Sequence, residues 1–582
     1  MKCSSYLVLL TLAGALATPL AKHVIHEKRD IGNHAWIKRN PAGASSILPM
    51  RIGLVQRNLD HGHNLLMEMY AFMIKHLSED EVFEMFAPSR DSERAVIEWL
   101  ESSGIALERI SISRNRQWVQ FDAQVSDVES LLLTEYHIYE HEPSRRINVA
   151  CDEYHVPDDI QKHIDYINPG IKLFPPSGPK APESFPKREL GGQQLAVKVK
   201  RQAPPLPPSF ILRPIKTVIN FLRGLLVQSL RLGQLYAMTD IESFNMFFGG
   251  IPVGNGAPEL RSIDGGRGGV SQLTDQAGAE SNLDIQSSHH IIYPQGQVVF
   301  SVDDVPTQTA YNYSGFWNNY LDGIDGSYCS LTDSGITGNS NNTDPPLDPP
   351  YPNPKNAGKP GAYPGPLDCG KHNPTYVTSI SYGGPENTLA LPANYQPRQC
   401  FEFMKLALRG YTHIVASCDS GVATYGEDEN NPNACLREDG ITTGGGKIFN
   451  PDFPSNCPYI LAVGSTEYTT SNNQAGERAT RQFGSGGGFS NVHEQPSYQQ
   501  AAAESYLTAN KNSFGFGSYD LRDDTQHVGS NGGVYNAGGR GYPDVAALGA
   551  NLIIWANQWT PCAGRGNFCV CSHLGSDANQ GE

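Results

Sequence analysis

The chain has 582 residues, of which 44 are Lys or Arg and 60 are Asp or Glu, so its formal net charge is −16 at pH 7. This acidic balance argues against nucleic acid as a partner. Charged residues make up only 18%, whereas Gly (59) and Pro (41) are abundant, which favours a loop-rich globular enzyme over a coiled coil or a disordered chain. We expect two domains.

The N-terminus has the pattern of a secretory signal peptide. An apolar run over residues 6–16 follows Lys2, and Ala15-Leu16-Ala17 forms a cleavage site of the A-x-A type. A membrane anchor would need roughly 20 uninterrupted apolar residues, and this run is shorter. We therefore expect residues 1–17 to be a signal peptide, the protein to be secreted and extracellular, and no association with a membrane.

Glycosylation and disulfides fit the same route. Asn312-Tyr313-Ser314 and Asn341-Asn342-Thr343 are sequons, which predicts N-glycans on Asn312 and Asn341, although chance occurrence is the alternative. Of the 11 cysteines, Cys3 would leave with the signal peptide and ten would remain. An oxidising compartment would allow disulfides among them, but the sequence alone does not pair them.

Residues 51–142 alternate between strand and helix patterns, which predicts a small α+β domain. Ser78 and Glu81 form a capping box at the start of one helix. The predicted elements are strands at 51–56 and 118–123 and helices at 79–87, 92–103 and 125–134.

The next region has the composition of an exposed linker. Residues 175–208 are rich in Pro, Lys and Gly and carry dibasic sites at Lys187-Arg188 and 198–201, where a secretory protease could cut. An unprocessed basic linker is the alternative. Residues 210–235 are apolar but contain several basic residues, which predicts an amphipathic helix packed on the core rather than a membrane span.

The second half of the chain predicts an α/β domain. Short apolar runs at 377–382, 412–416 and 459–463 have the composition of strands, and residues 398–408 have the pattern of a helix. This alternation favours a parallel sheet with helices on its faces. Residues 339–374 are dense in Pro, Asn and Gly and predict a long surface loop.

Two carboxylates form the first candidate site. Residues 278–286 have a helical pattern, which places Glu280 and Asp284 at i and i+4 on one face. In a cleft, one carboxyl could act as a base while the other orients it, and such a pair would work under acidic conditions. By spacing alone, a pair of solvated surface acids is the commoner explanation.

Asp419 is the second candidate. The apolar run before it ends in a turn of small residues, Ser417-Cys418-Asp419-Ser420-Gly421. At the carboxyl end of a parallel strand, a protonated acid could donate a hydrogen bond to a developing oxyanion. An Asp that caps the turn is the alternative.

Further motifs extend over most of the chain. They are the segments 50–56, 75–78 and 154–170 near the start, and Glu280-Ser281-Asn282-Leu283-Asp284, Ser379-Ile380-Ser381-Tyr382-Gly383, Gly486-Gly487-Gly488-Phe489-Ser490, Gly539-Arg540-Gly541-Tyr542-Pro543-Asp544-Val545 and the segments 400–406 and 457–464 later. In these motifs the sequence resembles the sedolisins, or serine-carboxyl peptidases, which include secreted fungal tripeptidyl-peptidases.

The resemblance implies a fold and a reaction. It implies a subtilisin-like parallel sheet flanked by helices at residues 209–582, preceded by an α+β ferredoxin-like activation prodomain at residues 18–174. It also implies acyl transfer by a serine, with Glu280 as the base, Asp284 orienting it and Asp419 as the oxyanion-hole acid. The residues implied to line the substrate cleft are Gly486, Gly487, Gly488, Phe489 and Ser490.

The same resemblance implies partners and a cofactor. The protein would be a monomeric zymogen that acts on peptides or proteins, and its prodomain would assist folding and block the cleft. Members of the family also bind calcium through C-terminal acids and backbone carbonyls.

The sequence departs from the family after about Trp555. It contains no Gly-Thr-Ser nucleophile motif, and the region of the calcium site is missing, so no metal ligands are assigned. Ser576 follows a Gly but is a chance match, and the spacing of Cys562, Cys569 and Cys571 fits no zinc pattern. Cys418 also stands where the family has Gly before the oxyanion Asp, and a side chain in that tight turn could shift the carboxyl.

These departures leave three hypotheses. The first is an acid-acting secreted peptidase whose chain as written is truncated or misread after about residue 555 and is inactive in this form. The second is a secreted pseudopeptidase that keeps a peptide-binding cleft without a nucleophile. The third is a product that does not fold stably.

Overall fold

The computed structural model describes residues 22–29, 36–72, 75–113, 115–141, 146–171, 173, 225–228, 235–252, 254–270, 279–310, 316–326, 328, 351–353, 356–386, 395–423, 425–428, 431–433, 435–437, 446–471, 474–481, 483–510, 513, 515–556 and 560–565. We call the described residues from 22 to 173 the N-terminal unit and those from 225 to 565 the C-terminal unit. The predicted signal peptide, the predicted dibasic linker, Asn312 and Asn341 lie outside the described residues.

The N-terminal unit is an α+β domain, as predicted. Its strands are β1 (His23–Lys28), β2 (Trp36–Pro41), β3 (Ile47–Leu54), β4 (Ser111–Ile112), β5 (Trp118–Gln124), β6 (His137–His141), β7 (Arg146–Ala150), β8 (Glu153–Pro157) and β9 (Ile164–Asn168). Its helices are α1 (Leu59–Phe72), α2 (Glu79–Phe86), α3 (Arg90–Ser102), α4 (Val125–Leu132) and α5 (Asp158–Gln161). An antiparallel sheet of order β4-β5-β3-β9 packs on the helices through one apolar core.

Local signals position two of these helices. The capping box predicted before α2 is present: the Ser78 hydroxyl accepts from the Glu81 N–H (3.3 Å), and the Glu81 carboxylate accepts from the Ser78 N–H (2.7 Å). At the start of α3, the Ser89 hydroxyl accepts from the Ser92 N–H (3.0 Å). These bonds satisfy main-chain donors that a helix leaves unpaired in its first turn.

The C-terminal unit is an α/β domain built on a mostly parallel sheet. Its strands are β10 (Leu225–Gln228), β11 (Glu259–Ile263), β12 (Gln297–Val302), β13 (Val377–Ile380), β14 (Gly384–Pro385), β15 (Thr412–Ala416), β16 (Tyr425–Asp428), β17 (Asn431–Asn433), β18 (Asp452–Phe453), β19 (Leu461–Ser471), β20 (Gln474–Ala479), β21 (Gly488–Glu494), β22 (Gly517–Tyr519), β23 (Gly533–Asn536), β24 (Gly539–Tyr542), β25 (Val545–Leu548), β26 (Ala550–Ala556) and β27 (Thr560–Arg565). Its helices are α6 (Met238–Phe244), α7 (Ala279–Ile292), α8 (Val305–Ala310), α9 (Phe316–Ile324), α10 (Tyr395–Leu408) and α11 (Gln500–Asn510).

The central sheet has the order β11-β12-β10-β13-β15-β19-β20, and β25 also pairs with β19. The pairs are parallel except for β19 with β20. The prediction of a parallel sheet is therefore confirmed, with β15 at the predicted residues. The carboxyl ends of β13, β15 and β19 meet along one edge of the sheet, which is where parallel α/β domains build their sites.

One sequence prediction is wrong where the structure tests it. Residues 210–235 predict an amphipathic helix, but Leu225–Gln228 form a strand in the middle of the sheet, between β12 and β13. A short apolar run has the same composition in a buried parallel strand and in a buried helix, so its pattern does not distinguish them. Pairing on both sides decides between the two. In the described part of the chain, no helix is both long and apolar enough to cross a bilayer.

A disulfide links two parts of the C-terminal unit. Cys400, in α10, is bonded to Cys457, which precedes β19, with 5.6 Å between the two Cα atoms. Both cysteines lie in the apolar core with Phe403 and Ile460. Cys369 is also disulfide-bonded. The Cys400–Cys457 pairing could not be predicted from the sequence. The two cysteines are 57 residues apart and become neighbours only when α10 packs beside the segment that precedes β19.

The N-terminal unit packs on the outer face of α10. Leu66 and Met69 of α1 and Val82 and Phe86 of α2 form one buried apolar cluster with Met404, Ala407 and Leu408 of α10. A main-chain hydrogen bond from the Leu77 N–H to the Leu408 carbonyl (2.9 Å) adds to this contact. The helix therefore belongs to the cores of both units.

Arg398 is the polar centre of this contact. Its guanidinium is fully buried and donates to the Leu54 carbonyl (2.9 Å), the Gln117 carbonyl (2.9 Å) and the Asp165 carboxylate (2.8 Å). It also lies over the Trp118 ring, 4.3 Å from the ring centroid. One cation thus pairs with acceptors from strands β3 and β9 and from the residue before β5, which a compact ammonium could not do in this planar geometry.

We predict that Arg398→Met uncouples the two units. It leaves buried carbonyl groups and Asp165 without their cation, and loss of one partner of a buried pair costs about 3–5 kcal/mol. Thermal unfolding should show the N-terminal unit melting at a lower temperature, and limited proteolysis should release it sooner. Arg478→Met is the matched control, because Arg478 pairs with Glu467 in an exposed hairpin. Equal effects of the two variants would contradict the assigned role of Arg398.

Candidate active site

Helix α7 carries the first pair of candidate residues. Glu280 and Asp284 both lie in α7, one turn apart, and Asp284 is fully buried. The burial of Asp284 argues against a solvated surface pair, which was the commoner explanation of the spacing. The side chain of Glu280 lies outside the described part of the structure.

Amide side chains of α7 hold this helix in place. The Gln286 amide pairs with the main chain of Trp555 in β26 at both ends: its Nε2 donates to the Trp555 carbonyl (2.7 Å), and its Oε1 accepts from the Trp555 N–H (2.7 Å). Asn282 accepts from the Ala237 N–H (3.0 Å) and donates to the Asp240 carboxylate (3.0 Å). Gln286 therefore takes the place of a neighbouring strand for β26, and it fixes the helix against the β26–β27 hairpin.

Asp419 lies where the sequence analysis expects it, just after the carboxyl end of β15. The turn that carries it is clamped by the segment before β21. The Gly486 N–H donates to the Cys418 carbonyl (2.7 Å), the Ser417 hydroxyl donates to the Gly486 carbonyl (2.9 Å), and the Gly484 N–H donates to the Asp419 carbonyl (3.1 Å). The structure thus brings the oxyanion candidate and the start of the glycine segment into direct contact.

Gly486 has to be a glycine for this contact. A Cβ atom on it would lie 1.5 Å from the Ser417 carbonyl oxygen, which no backbone could tolerate. Beyond it, Gly488 pairs with Tyr542 and Phe489 with Gly541 as β21 joins β24. The segment 486–490 is therefore a strand edge that runs away from the Asp419 turn.

Asp284 lies in helix α7, whereas Asp419 follows strand β15 of the central sheet, and strands β19 and β26 connect the two elements. Strand β15, before Asp419, pairs with β19, which contacts β26. Gln286 in turn binds β26 to the helix of Asp284. The hairpin β26–β27 also contacts α7.

Cys418 adopts a conformation that favours glycine. Its φ is +75°, in the left-handed region, where a Cβ atom costs about 1–2 kcal/mol. The thiol donates a hydrogen bond to the buried carboxyl of Asp452. The positive φ of Cys418 therefore shows that a side chain strains the backbone of this turn. The thiol offsets part of this strain through its hydrogen bond to Asp452.

Two buried carboxyls beneath the turn were missed by the sequence analysis. Burial raises the pKa of Glu386 to about 7, against hydrogen bonds from Ser490, Asn491 and Asn456 that lower it. Burial also raises the pKa of Asp452 well above its usual range, and the negative charges of Asp419 and Glu386 act in the same direction. For Glu386, the sequence offered one signal: an acidic residue directly after Ser381-Tyr382-Gly383-Gly384-Pro385, where strand β13 has ended.

The two raised carboxyl pKa values favour the fold at acid pH. A carboxyl with a raised pKa contributes its full stability below the pKa of the unfolded chain, near 4.5, and loses it as the pH rises through the folded value, about 7 for Glu386. The buried His413 and His493 act in the opposite sense, because burial lowers their pKa from 6.5 to about 3. Their contribution is complete above 6.5 and is lost as the pH falls through about 3.

Metal binding finds no support among the described residues. In that part of the chain, no group of three or more His, Cys, Asp or Glu side chains has the arrangement of a metal site. The calcium ion that the resemblance implies stays a prediction. Cys562 is described only as part of strand β27, and Cys569, Cys571 and Ser576 lie outside the described residues.

We predict that Gln286→Leu destabilises the C-terminal unit by about 2–4 kcal/mol, because it leaves the buried N–H of Trp555 unpaired and weakens the bonding of its carbonyl. Chemical denaturation of the purified chain measures this loss. Gln500→Leu is the control, since Gln500 is exposed at the start of α11, and it should change stability by less than about 0.5 kcal/mol. A Gln286 variant as stable as this control would rule out the anchoring of β26.

We also predict that Cys418→Gly is more stable than Cys418→Ala by about 1 kcal/mol, because both lose the thiol while only Ala keeps the left-handed strain. Equilibrium unfolding of the two variants gives the difference. At neighbouring Ser417, whose φ is not positive, the order should reverse, with Ala more stable than Gly. The same order at both positions would contradict the strain at Cys418.

Comparisons with known proteins give the family. Residues 34–173 match the pro-kumamolisin activation domain. The chain is 42% identical to tripeptidyl-peptidase sed1 of Aspergillus fumigatus over 93% of this chain and 83% of that protein. It is 36% identical to aorsin of Aspergillus oryzae over 94% of this chain and 83% of that protein.

A solved structure of Pseudomonas sedolisin, a serine-carboxyl proteinase complexed with pseudo-iodotyrostatin, covers 62% of this chain and 74% of its own. The identity is 15% and the TM-score 0.35, a likeness too loose to bear on the site. The relatives of much higher identity cover nearly the whole chain. The chain belongs to the sedolisin family of peptidases, in the group of the fungal tripeptidyl-peptidases, and carries that family's activation domain.

Proposed function

We propose that the protein is a secreted, acid-acting serine-carboxyl peptidase of the tripeptidyl-peptidase type, made as a proenzyme. The observation that carries the proposal is the buried Asp284 one helical turn from Glu280, on a helix that Gln286 fixes to the hairpin β26–β27. In a family of peptidases, two acids on one face of a helix, with Asp284 buried, are suited to proton transfer.

The proposed reaction is acyl transfer. A serine oxygen attacks the peptide carbonyl carbon and passes its proton to Glu280, which Asp284 orients. Protonated Asp419 donates a hydrogen bond to the oxyanion. Glu280 then returns the proton to the amine that leaves, and a water molecule releases the acid product from the serine by the same steps in reverse order.

The clamped turn supports the role of Asp419. Its main chain and that of Cys418 are bonded to Gly484 and Gly486, so the carboxyl is presented by a rigid segment at the end of β15. The adjoining segment Gly486–Ser490 would bind the extended peptide main chain beside it. Acid conditions would keep Asp419 protonated and would also favour the fold, because Glu386 and Asp452 are buried beneath the turn.

The organisation of the chain follows from the same proposal. Residues 1–17 would be the signal peptide, residues 18–174 the activation prodomain and residues 175–208 a linker cut at its dibasic sites. The strand order β4-β5-β3-β9 with intervening helices supports a ferredoxin-like prodomain. Asn312 and Asn341 would carry glycans. The protein would act as a monomer, with its own prodomain and peptide substrates as its partners.

A pseudopeptidase is the second candidate. The observation that favours it is the absence of a Gly-Thr-Ser motif from the sequence, so no serine is assigned as the nucleophile. The peptide cleft would then remain as a binding site. No step of either candidate function is assigned to a metal.

The test is peptide hydrolysis at acid pH by a purified form of the protein that contains the serine nucleophile, with Glu280→Gln as the variant. We expect the wild type of that form to release tripeptides from a chromogenic peptide and the variant to lose about 100- to 10,000-fold in kcat, the usual contribution of a general base. Glu504→Gln, on the exposed face of α11, is the control and should act like the wild type. Undiminished cleavage by the Glu280 variant would refute the base, and peptide binding without any cleavage by the wild type would favour the pseudopeptidase.

A further inference from the structure

Glu386 is a fully buried carboxyl that the proposed reaction does not use. It follows β14, and it forms a polar cluster with Asn456 and Ser490, which are also fully buried. A carboxyl in such a place costs free energy unless its oxygens accept hydrogen bonds. The hydrogen-bond partners of Glu386 therefore indicate which segments it fixes in place.

The partners of Glu386 come from two separate segments. One carboxyl oxygen accepts from the Ser490 hydroxyl (2.5 Å) and from the Asn456 amide nitrogen, and the other accepts from the Asn491 N–H. The Ser490 oxygen itself accepts from the main-chain N–H groups of Val492 (3.0 Å) and His493 (2.8 Å). Ser490 must therefore donate its own proton to Glu386.

These bonds reach the proposed substrate cleft. Ser490 and Asn491 belong to β21, which continues the segment from Gly486 that clamps the Asp419 turn. Asn456 lies in the loop between β18 and β19, and the Glu386 N–H donates to the Pro451 carbonyl (2.7 Å) just before β18. Glu386 thus connects strand β21, which lines the proposed cleft, to the segments on either side of β18.

The ionised form of Glu386 accepts all three bonds. The Asn456 amide nitrogen also donates to the Ser490 oxygen (3.3 Å), which ties the loop before β19 to β21 directly. The Asn456 Oδ1 is buried and has no hydrogen-bond partner among the described residues.

We propose that Glu386 is a positioning residue for the substrate cleft: it fixes strand β21, which carries Gly488 to Ser490, relative to the turn that carries Asp419. The proposal rests on the proposed function, because it assigns the cleft to these two segments. Glu386 acts through Ser490 and Asn491 and touches neither the substrate nor the reacting atoms.

The variant Glu386→Gln tests this role at constant side-chain size. Its amide group has to face either the Ser490 hydroxyl or the Asn491 N–H, and an NH₂ group accepts from neither. We expect the main-chain amides of residues 489–493 to exchange with deuterium about tenfold faster than in the wild-type full chain. The amides of residues 50–54 in the N-terminal unit should be unchanged.

A polarity swap provides the rescue. In the double variant Glu386→Gln with Asn456→Asp, the amide introduced at position 386 donates to the carboxylate introduced at position 456. Ser490 can donate to that same carboxylate, and the oxygen of the introduced amide accepts from the Asn491 N–H. The swap keeps the net charge and the number of non-hydrogen atoms, so exchange at residues 489–493 should return to within about threefold of the wild type.

Glu402→Gln is the matched control, because Glu402 is equally buried but pairs with Lys405 in α10. It should leave the exchange of β21 unchanged. Wild-type exchange at residues 489–493 in the Glu386→Gln variant would overturn the proposal. So would failure of the double variant to recover, including failure of both variants to fold.

Peptide hydrolysis separates the proposal from the function on which it rests. In a form of the protein that contains the serine nucleophile, the single variant should raise KM about tenfold with kcat nearly unchanged, and the double variant should restore KM. A wild-type chain that neither cleaves nor binds peptides refutes the proposed function, whereas the exchange experiment decides the role of Glu386 by itself.

Discussion

Buried main-chain N–H and C=O groups have to be hydrogen-bonded, and the candidate site lies where the sheet leaves such groups without a strand to pair with. Side chains supply the missing partners there. Gln286 bonds both main-chain groups of Trp555, Ser417 bonds the Gly486 carbonyl, and the Tyr542 hydroxyl accepts from the Asp452 N–H (2.9 Å). Each of these contacts also fixes the spacing between two elements. The same hydrogen bonds that satisfy the buried main-chain groups therefore align the candidate site.

The contact between the two units obeys the same requirement. Arg398 reaches carbonyl groups near the ends of β3 and β5, where the sheet of the N-terminal unit no longer pairs them fully. The guanidinium is buried between the units, so it is stable there only while both are together. The apolar cluster around Met404 and Leu408 provides the contact area between the units, and the hydrogen bonds of Arg398 fix their relative position.

Electrostatics add a preference for acid conditions to this geometry. Glu386 and Asp452 lie beneath the Asp419 turn with raised pKa values, and a proton on each reduces the cost of their burial. His413 and His493 stay neutral down to about pH 3 because they are buried. Glu386 and the two histidines therefore favour the fold most between about pH 3 and pH 7.

The sequence by itself determined the class of the fold, helices α2, α3 and α4 of the N-terminal unit, strand β15, and the placement of Glu280 with Asp284 on one helix, because these follow from local periodicity and capping. The resemblance to the sedolisins also marked Cys418 as unusual, because the family has Gly at that position. Tertiary structure decided the strand at Leu225–Gln228, the Cys400–Cys457 disulfide and the roles of Gln286 and Glu386. The physical reason is distance along the chain: Gln286 bonds a residue 269 positions away and Glu386 one 104 positions away, and no local pattern contains such a pair.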